Sequence, residues 1–216
     1  MKSFILSSEQ VSKNFDFSPE YWISNSLLDD NGSSLLDFVD IVNKATSEQE
    51  GKYIILDTTH TNNGLLLIQS MDINNPIERK SSKKEVNEGD ILISRLRPYL
   101  KQISFIPYGI KEKLNIENIY CSTEYFILRP KSSLSSIAFL VPWLLSESIQ
   151  NIFSNAANGG HHPRLDINLL KSLFIPKNYI STELSNKVEH LTTQHLDAQI
   201  SMMNLFKSSN NLDNFL

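Results

Sequence analysis

Arg95, Arg97, Tyr99 and Lys101 occupy alternate positions in the segment Ser94-Arg95-Leu96-Arg97-Pro98-Tyr99-Leu100-Lys101. On an extended backbone that spacing sends all four side chains to one face. Arginine in such a row can bind phosphate or a guanine edge through two parallel bonds, and tyrosine can donate to phosphate or pack on sugar. Three lysines just upstream, Lys80, Lys83 and Lys84, add point charges suited to phosphate. A second loop, Asn158-Gly159-Gly160-His161-His162-Pro163-Arg164, joins two glycines that permit close backbone approach to a histidine pair and a cation at a helix start. Each set also has an ordinary reading: solvated bases paired with nearby acids, and glycines serving only backbone geometry.

Other chemistries find no residues to carry them. There is no GxxxxGK[ST] phosphate loop, no Rossmann glycine spacing, no His-Glu-x-x-His and no Gly-x-Ser-x-Gly elbow. His161 and His162 are adjacent, and His190 and His195 are five apart on a helix, so neither pair shares a metal easily. A catalytic centre, a bound metal and a resident cofactor are therefore not expected. The single cysteine, Cys121, suits a reducing compartment, and no stretch nears the roughly 18–20 apolar residues of a membrane span. A cytoplasmic protein is expected.

The net charge of −4 hides a strong asymmetry. Residues 1–78 hold 12 acids against 4 bases, whereas residues 79–177 hold 14 bases against 8 acids. The basic excess thus surrounds the Ser94–Lys101 segment, where it can neutralise phosphates on an acidic protein.

The elements that must position these residues are legible in outline. Residues 19–31 open at a proline suited to a first helical turn, and 33–43 space Leu35, Leu36, Val39 and Val42 as a short amphipathic helix capped by Ser33 or Ser34. Short apolar runs at 53–57, 65–68, 91–94, 102–107 and 124–129 read as strands between turn signals. Residues 134–155 return to helical spacing, with Pro142 marking a start or a kink. A short helix at 166–172 and a strand at 173–175 follow. Residues 181–206 then lack glycine and proline and carry Leu184, Val188, Leu191, His195, Ala198, Met202 and Leu205 at alternating steps of four and three. That is a heptad seam, the pattern of a helix that pairs with another helix.

In order, these pieces resemble the target-recognition domain and spacer helix of type I restriction–modification specificity subunits. Asn14-Phe15-Asp16-Phe17-Ser18-Pro19-Glu20-Tyr21-Trp22 is similar to the entry segment R-x-D-x-x-Y-Y, with asparagine in place of arginine. Tyr53-Ile54-Ile55-Leu56-Asp57 with Asn63-Gly64-Leu65 resembles a Y-I-x-x-x-D-I…G-x-I strand pair, and Glu88-Gly89-Asp90-Ile91-Leu92-Ile93-Ser94-Arg95 resembles x-G-D-I-L-x-S-x. Glu124 to Pro130 ends in the Leu-Arg-Pro of a later strand, and Gly160 to Pro176 follows the closing loop–helix–I-P-x-P pattern, with Asn178 where proline is common. Leu196-Asp197-Ala198-Gln199-Ile200 is similar to the spacer's L-D-x-x-I.

The resemblance implies an α/β fold: a mixed β-sheet recognition domain flanked by helices over residues 1–178, and a long coiled-coil-type spacer and dimerisation helix over 179–216. It implies sequence-specific recognition of double-stranded DNA without catalysis. Its partners would be DNA adenine methyltransferase subunits, which alone would hold S-adenosylmethionine, and a restriction subunit. Full specificity subunits carry two recognition domains, and no internal repeat is visible here. The chain is then a half-length subunit, a fragment, or a relative serving another modification or phage-defence complex, and a half-subunit would restore its symmetry by homodimerisation. A recognition fragment of a methyltransferase–endonuclease and an interaction module that has lost DNA binding are the alternative functions.

Overall fold

Ile91-Leu92-Ile93-Ser94 is buried along its whole length, as its unbroken apolar run requires. In a computed structural model, which describes residues 32–68, 81–132, 135–157 and 163–212 (backbone only from 207), this segment is strand β8 at the centre of the molecule. The expected helix at 19–31 and the entry segment 14–22 lie outside the described residues.

Strand β8 is flanked by β11 (Tyr125–Pro130) and β9 (Ile103–Phe105), and β11 also pairs with β2 (Val39–Val42), all antiparallel, giving the order β2-β11-β8-β9. Side chains alternate across this sheet, so its two faces feed two cores. Ile91, Ile93, Phe126 and Leu128 enter one core with Leu140, Trp143, Leu144, Ile149 and Phe153. Leu92, Tyr125 and Ile127 enter the other with Ile54, Leu56, Val86, Ile119 and Cys121. The second core is closed by a second sheet, ordered β3-β7-β10-β4 from Ala45–Thr46, Lys83–Val86, Asn118–Cys121 and Tyr53–Leu56. In it β10 runs parallel to β4 and antiparallel to β7. Two short antiparallel pairs complete the strands among the described residues: β1 (Ser33–Ser34) with β12 (Phe174–Ile175), and β5 (Thr61–Asn62) with β6 (Leu65–Leu66).

Two expectations are corrected. Residues 33–43 do not form an amphipathic helix: a 3-10 turn covers Leu35–Asp37, and β2 follows. Ser34 does cap the turn, accepting from the Leu36 backbone N–H while its own N–H donates to Asp37. Beyond it Val39, Ile41 and Val42 are β-branched, and β11 offers a ladder partner, so sheet pairing overrides the four-residue spacing. Residues 134–155 divide into α2 (Leu140–Leu144) and α3 (Glu147–Asn155), following a short helix α1 at Ile110–Leu114 that the sequence did not announce. Pro142 sits third in α2, where a missing N–H costs no helical bond, and Ser146 caps α3.

The Gly89-Asp90 pair has a physical reason. Gly89 has φ +84°, and a Cβ there would meet the Tyr108 hydroxyl at 2.5 Å. Asp90, fully buried, accepts from Arg129 at 2.8 Å and 3.1 Å and from the Asn87 backbone at 2.8 Å. Burial pushes the Asp90 carboxyl above its usual pKa, and the Arg129 bonds pull against that shift. The pair ties β8 to β11 at the edge that faces Glu85.

After the short helix α4 (Ile167–Lys171), capped by Asp166, the chain ends in α5 (Thr182–Leu212). Leu184 and Val188 pack on the first core, and Leu196, Ile200 and Met203 on the second, so α5 spans both. Buried Gln199 behaves as a strand edge: its Nε2 donates to Leu66 O and its Oε1 accepts from the Ile68 N–H, both at 2.8 Å. Asp197 pairs with Lys113 of α1. No helix among the described residues is long and apolar enough to cross a membrane.

Candidate nucleic-acid interface

Strand β8 ends at Ser94, and the chain that follows is held from three sides. Arg95 N–H donates to Glu124 O at 2.8 Å, Ser94 N–H to Gln102 O at 2.9 Å, and Asn63 N–H to Lys101 O at 3.0 Å. Leu96 forms a β-bridge with Arg164, reinforced by Leu165 N–H to Arg95 O at 2.9 Å and Arg97 N–H to Pro163 O at 3.0 Å. The first loop is thus laid beside Pro163 and Arg164, the described end of the second.

The backbone does not stay extended, so the expected one-face alternation of Arg95, Arg97, Tyr99 and Lys101 is replaced by a tight turn. Arg97 (φ 46°) and Lys101 (φ 52°) are left-handed, and Pro98–Leu100 forms a 3-10 turn packed on α3. Left-handed non-glycine residues cost about 1–3 kcal/mol each and persist only where the surroundings dictate them. Pro98 is buried, while Arg97, Tyr99, Leu100 and Lys101 are exposed together. Arg95 separates from them: half-buried, its guanidinium lies 5.2 Å from the centre of the Phe126 ring, and its Nε is buried without a partner among the described residues.

Arg164 bonds Glu124 at 3.1 Å and 3.3 Å, and this hydrogen bonding holds the Glu124 carboxyl below its usual pKa against partial burial. Arg97 and Lys101 form no ion pair among the described residues. Their charge stays available.

Lys84 is a correction to the basic row. Strand alternation in β7 turns it inward to 2 % exposure, where Nζ donates to Tyr125 O at 2.7 Å and burial lowers its pKa. It stands opposite Cys121 on β10, whose thiol burial pushes up to about 12. Lys83, one step along the strand, is only half-buried. Lys80, Gly160 and His161 lie outside the described residues. No group of three His, Cys, Asp or Glu among the described residues could hold a metal ion. Exposed Asn62 and Asn63, which the β5–β6 turn brings beside Lys101, join this surface with Leu100; an Asn-Asn-Gly turn signal is the trace of the asparagines in the sequence.

The heptad row on α5 is divided. Leu184, Val188 and His195 are half-buried against the body, whereas Leu191, Ala198, Met202 and Leu205 are exposed. The most deeply buried stripe is Ser185, Thr192, Leu196 and Gln199, rotated to one side of that row.

Compared with known proteins, residues 33–177 match the family model described as the type I restriction modification DNA specificity domain. The chain belongs to that family. No curated protein matches it. Among solved structures it is similar to a chain from a study of complex assembly and conformational transition of the type I R-M system, with 18 % identity and a TM-score of 0.56. It is also similar to the HsdS subunit from Thermoanaerobacter tengcongensis, with 17 % identity and a TM-score of 0.53. In each case 84 % of this chain aligns to 46 % of the other, so the specificity domain spans about half the length of these relatives. Its mixed α/β architecture with several sheets and a long C-terminal helix is theirs. The matched region contains the strained turn, the Leu96–Arg164 bridge and both four-stranded sheets.

Proposed function

We propose that this chain recognises a specific double-stranded DNA sequence for a restriction–modification complex and performs no chemistry itself. The observation that carries this reading is the turn Arg97–Lys101, which presents two cations without acidic partners among the described residues on a DNA specificity fold. Arg97 and Lys101 take phosphates and set orientation, and Arg164 extends the charged surface across the bridged loop. Adenine methyltransferase subunits dock on the assembly, and S-adenosylmethionine binds to them. A restriction subunit joins the same complex.

We further propose that two copies pair through α5, which carries an exposed apolar row beside its buried stripe. The exposed row Leu191, Ala198 and Met202 is the seam, and the buried stripe beside it keeps α5 on its own body. Two-fold pairing then sets identical recognition domains on an interrupted palindromic site.

The test is the salt dependence of duplex binding. Arg97→Ala with Lys101→Ala removes two phosphate contacts, so the slope of log affinity against log salt falls by about 1.8. An unchanged slope removes the turn from the interface.

A further inference from the structure

We propose that Tyr99 and Leu100 form the base-reading tip of the turn and pack against thymine methyl groups in the major groove; this rests on the reading of the chain as a duplex-DNA recognition module.

Tyr99 is 55 % exposed and Leu100 43 %, side by side at the end of a tight turn. Neither contributes to the two cores, which are complete without them. Arg97 and Lys101 bracket them in sequence, and neither cation meets an acid among the described residues. An exposed apolar pair between two available cations fits a partner that is anionic at its rim and apolar at its floor. The DNA major groove has that character: phosphates line its edges, and the thymine C5-methyl is the apolar group among otherwise polar base edges. A protein groove accepting the same apolar tip would need acids on both flanks to match.

The tip is also held before any partner arrives. Buried Pro98 packs it on α3, and Arg97 N–H to Pro163 O, Leu100 N–H to Arg97 O and Lys101 N–H to Pro98 O close the turn between 2.9 Å and 3.0 Å. Little freedom is left to lose on binding, the condition under which a few side chains can discriminate between sequences. Labour divides accordingly: cations position the module, and the apolar tip reads it.

The experiment uses the full chain and a random-sequence duplex pool, selected with the wild type and with Tyr99→Ser/Leu100→Ser. Both positions are exposed, and far-UV circular dichroism checks that the variant keeps its fold. The wild type should enrich a motif containing an A·T pair whose preference disappears in the variant, with the salt slope unchanged. Replacing that thymine by deoxyuridine should weaken wild-type binding about fourfold, the worth of one buried methyl group, and leave the variant unaffected. The same motif from both proteins, a uniform loss across all sequences, or indifference to deoxyuridine overturns the proposal while leaving DNA recognition intact. A wild type that enriches no motif overturns the recognition reading and this inference with it.

Discussion

Gln199→Leu removes the side-chain amide that locks α5 to the body. Its Nε2 and Oε1 satisfy Leu66 O and the Ile68 N–H, each at 2.8 Å, and both backbone residues are at most 3 % exposed. Leucine offers neither a donor nor an acceptor, so two buried backbone groups lose their partners. Each orphaned group costs about 1–3 kcal/mol, and the apolar replacement returns part of that through burial. A net loss of about 3 kcal/mol is expected. The neighbouring ion pair provides the contrast. Asp197 and Lys113 keep about half and a third of their side chains in solvent, so Asp197→Ala should cost less than about 1 kcal/mol. Urea unfolding followed by far-UV circular dichroism, at one fixed protein concentration, gives both values. Hydrogen exchange at the Ile68 amide should accelerate in Gln199→Leu and not in Asp197→Ala. A loss below about 1 kcal/mol for Gln199→Leu, or equal losses for the two variants, would refute the lock.

Arg129→Ala leaves the fully buried Asp90 carboxylate uncompensated and should cost about 3–5 kcal/mol near neutral pH. The Asp90 pKa already lies above its ordinary value of 3.8, and losing Arg129 moves it higher, so the folded variant binds a proton more tightly than the unfolded chain. Its stability therefore falls as pH rises from about 4 through the folded pKa, and the deficit should be smaller at pH 4 than at pH 7 in urea titrations; a deficit independent of pH would contradict this. Lys84→Met should change duplex affinity less than twofold in fluorescence anisotropy, because the lysine serves the interior; a tenfold loss would return it to the interface. Leu191→Lys with Met202→Lys should convert the proposed dimer to a monomer by light scattering without unfolding, since neither residue belongs to the buried stripe. A variant that stays dimeric excludes this seam.

Some of the molecule is readable from local chemistry. Ile91 to Ser94 is a buried strand because four consecutive small or apolar residues follow a Gly-Asp turn, and α5 is a helix because 26 residues from Ser181 contain no breaker. Cation-rich spacing around Arg97 located the exposed turn, since charge and an interior do not coexist without partners. Residues 83–86 and 118–121 are not legible as strands, because Lys-Lys-Glu-Val carries a single apolar residue and Asn-Ile-Tyr-Cys is too short a run to announce one, and pairing with each other and with their outer neighbours makes them a sheet.

What a chain segment prefers alone is therefore distinct from what it meets when folded. The amino-acid sequence determined where the cations concentrate, the existence of the long helix and the buried central strand. Tertiary structure decided which cations stay outside: β7 alternation turns Lys84 inward, Arg95 packs over Phe126, and Arg97 and Lys101 stay exposed at the left-handed ends of a turn anchored by the Leu96–Arg164 bridge and the Asn63–Lys101 bond. It also split the heptad row of α5, where Leu66 and Ile68 offer buried backbone groups that Gln199 bonds. Both decisions depend on partners remote in sequence, and no local pattern encodes where such a partner will lie.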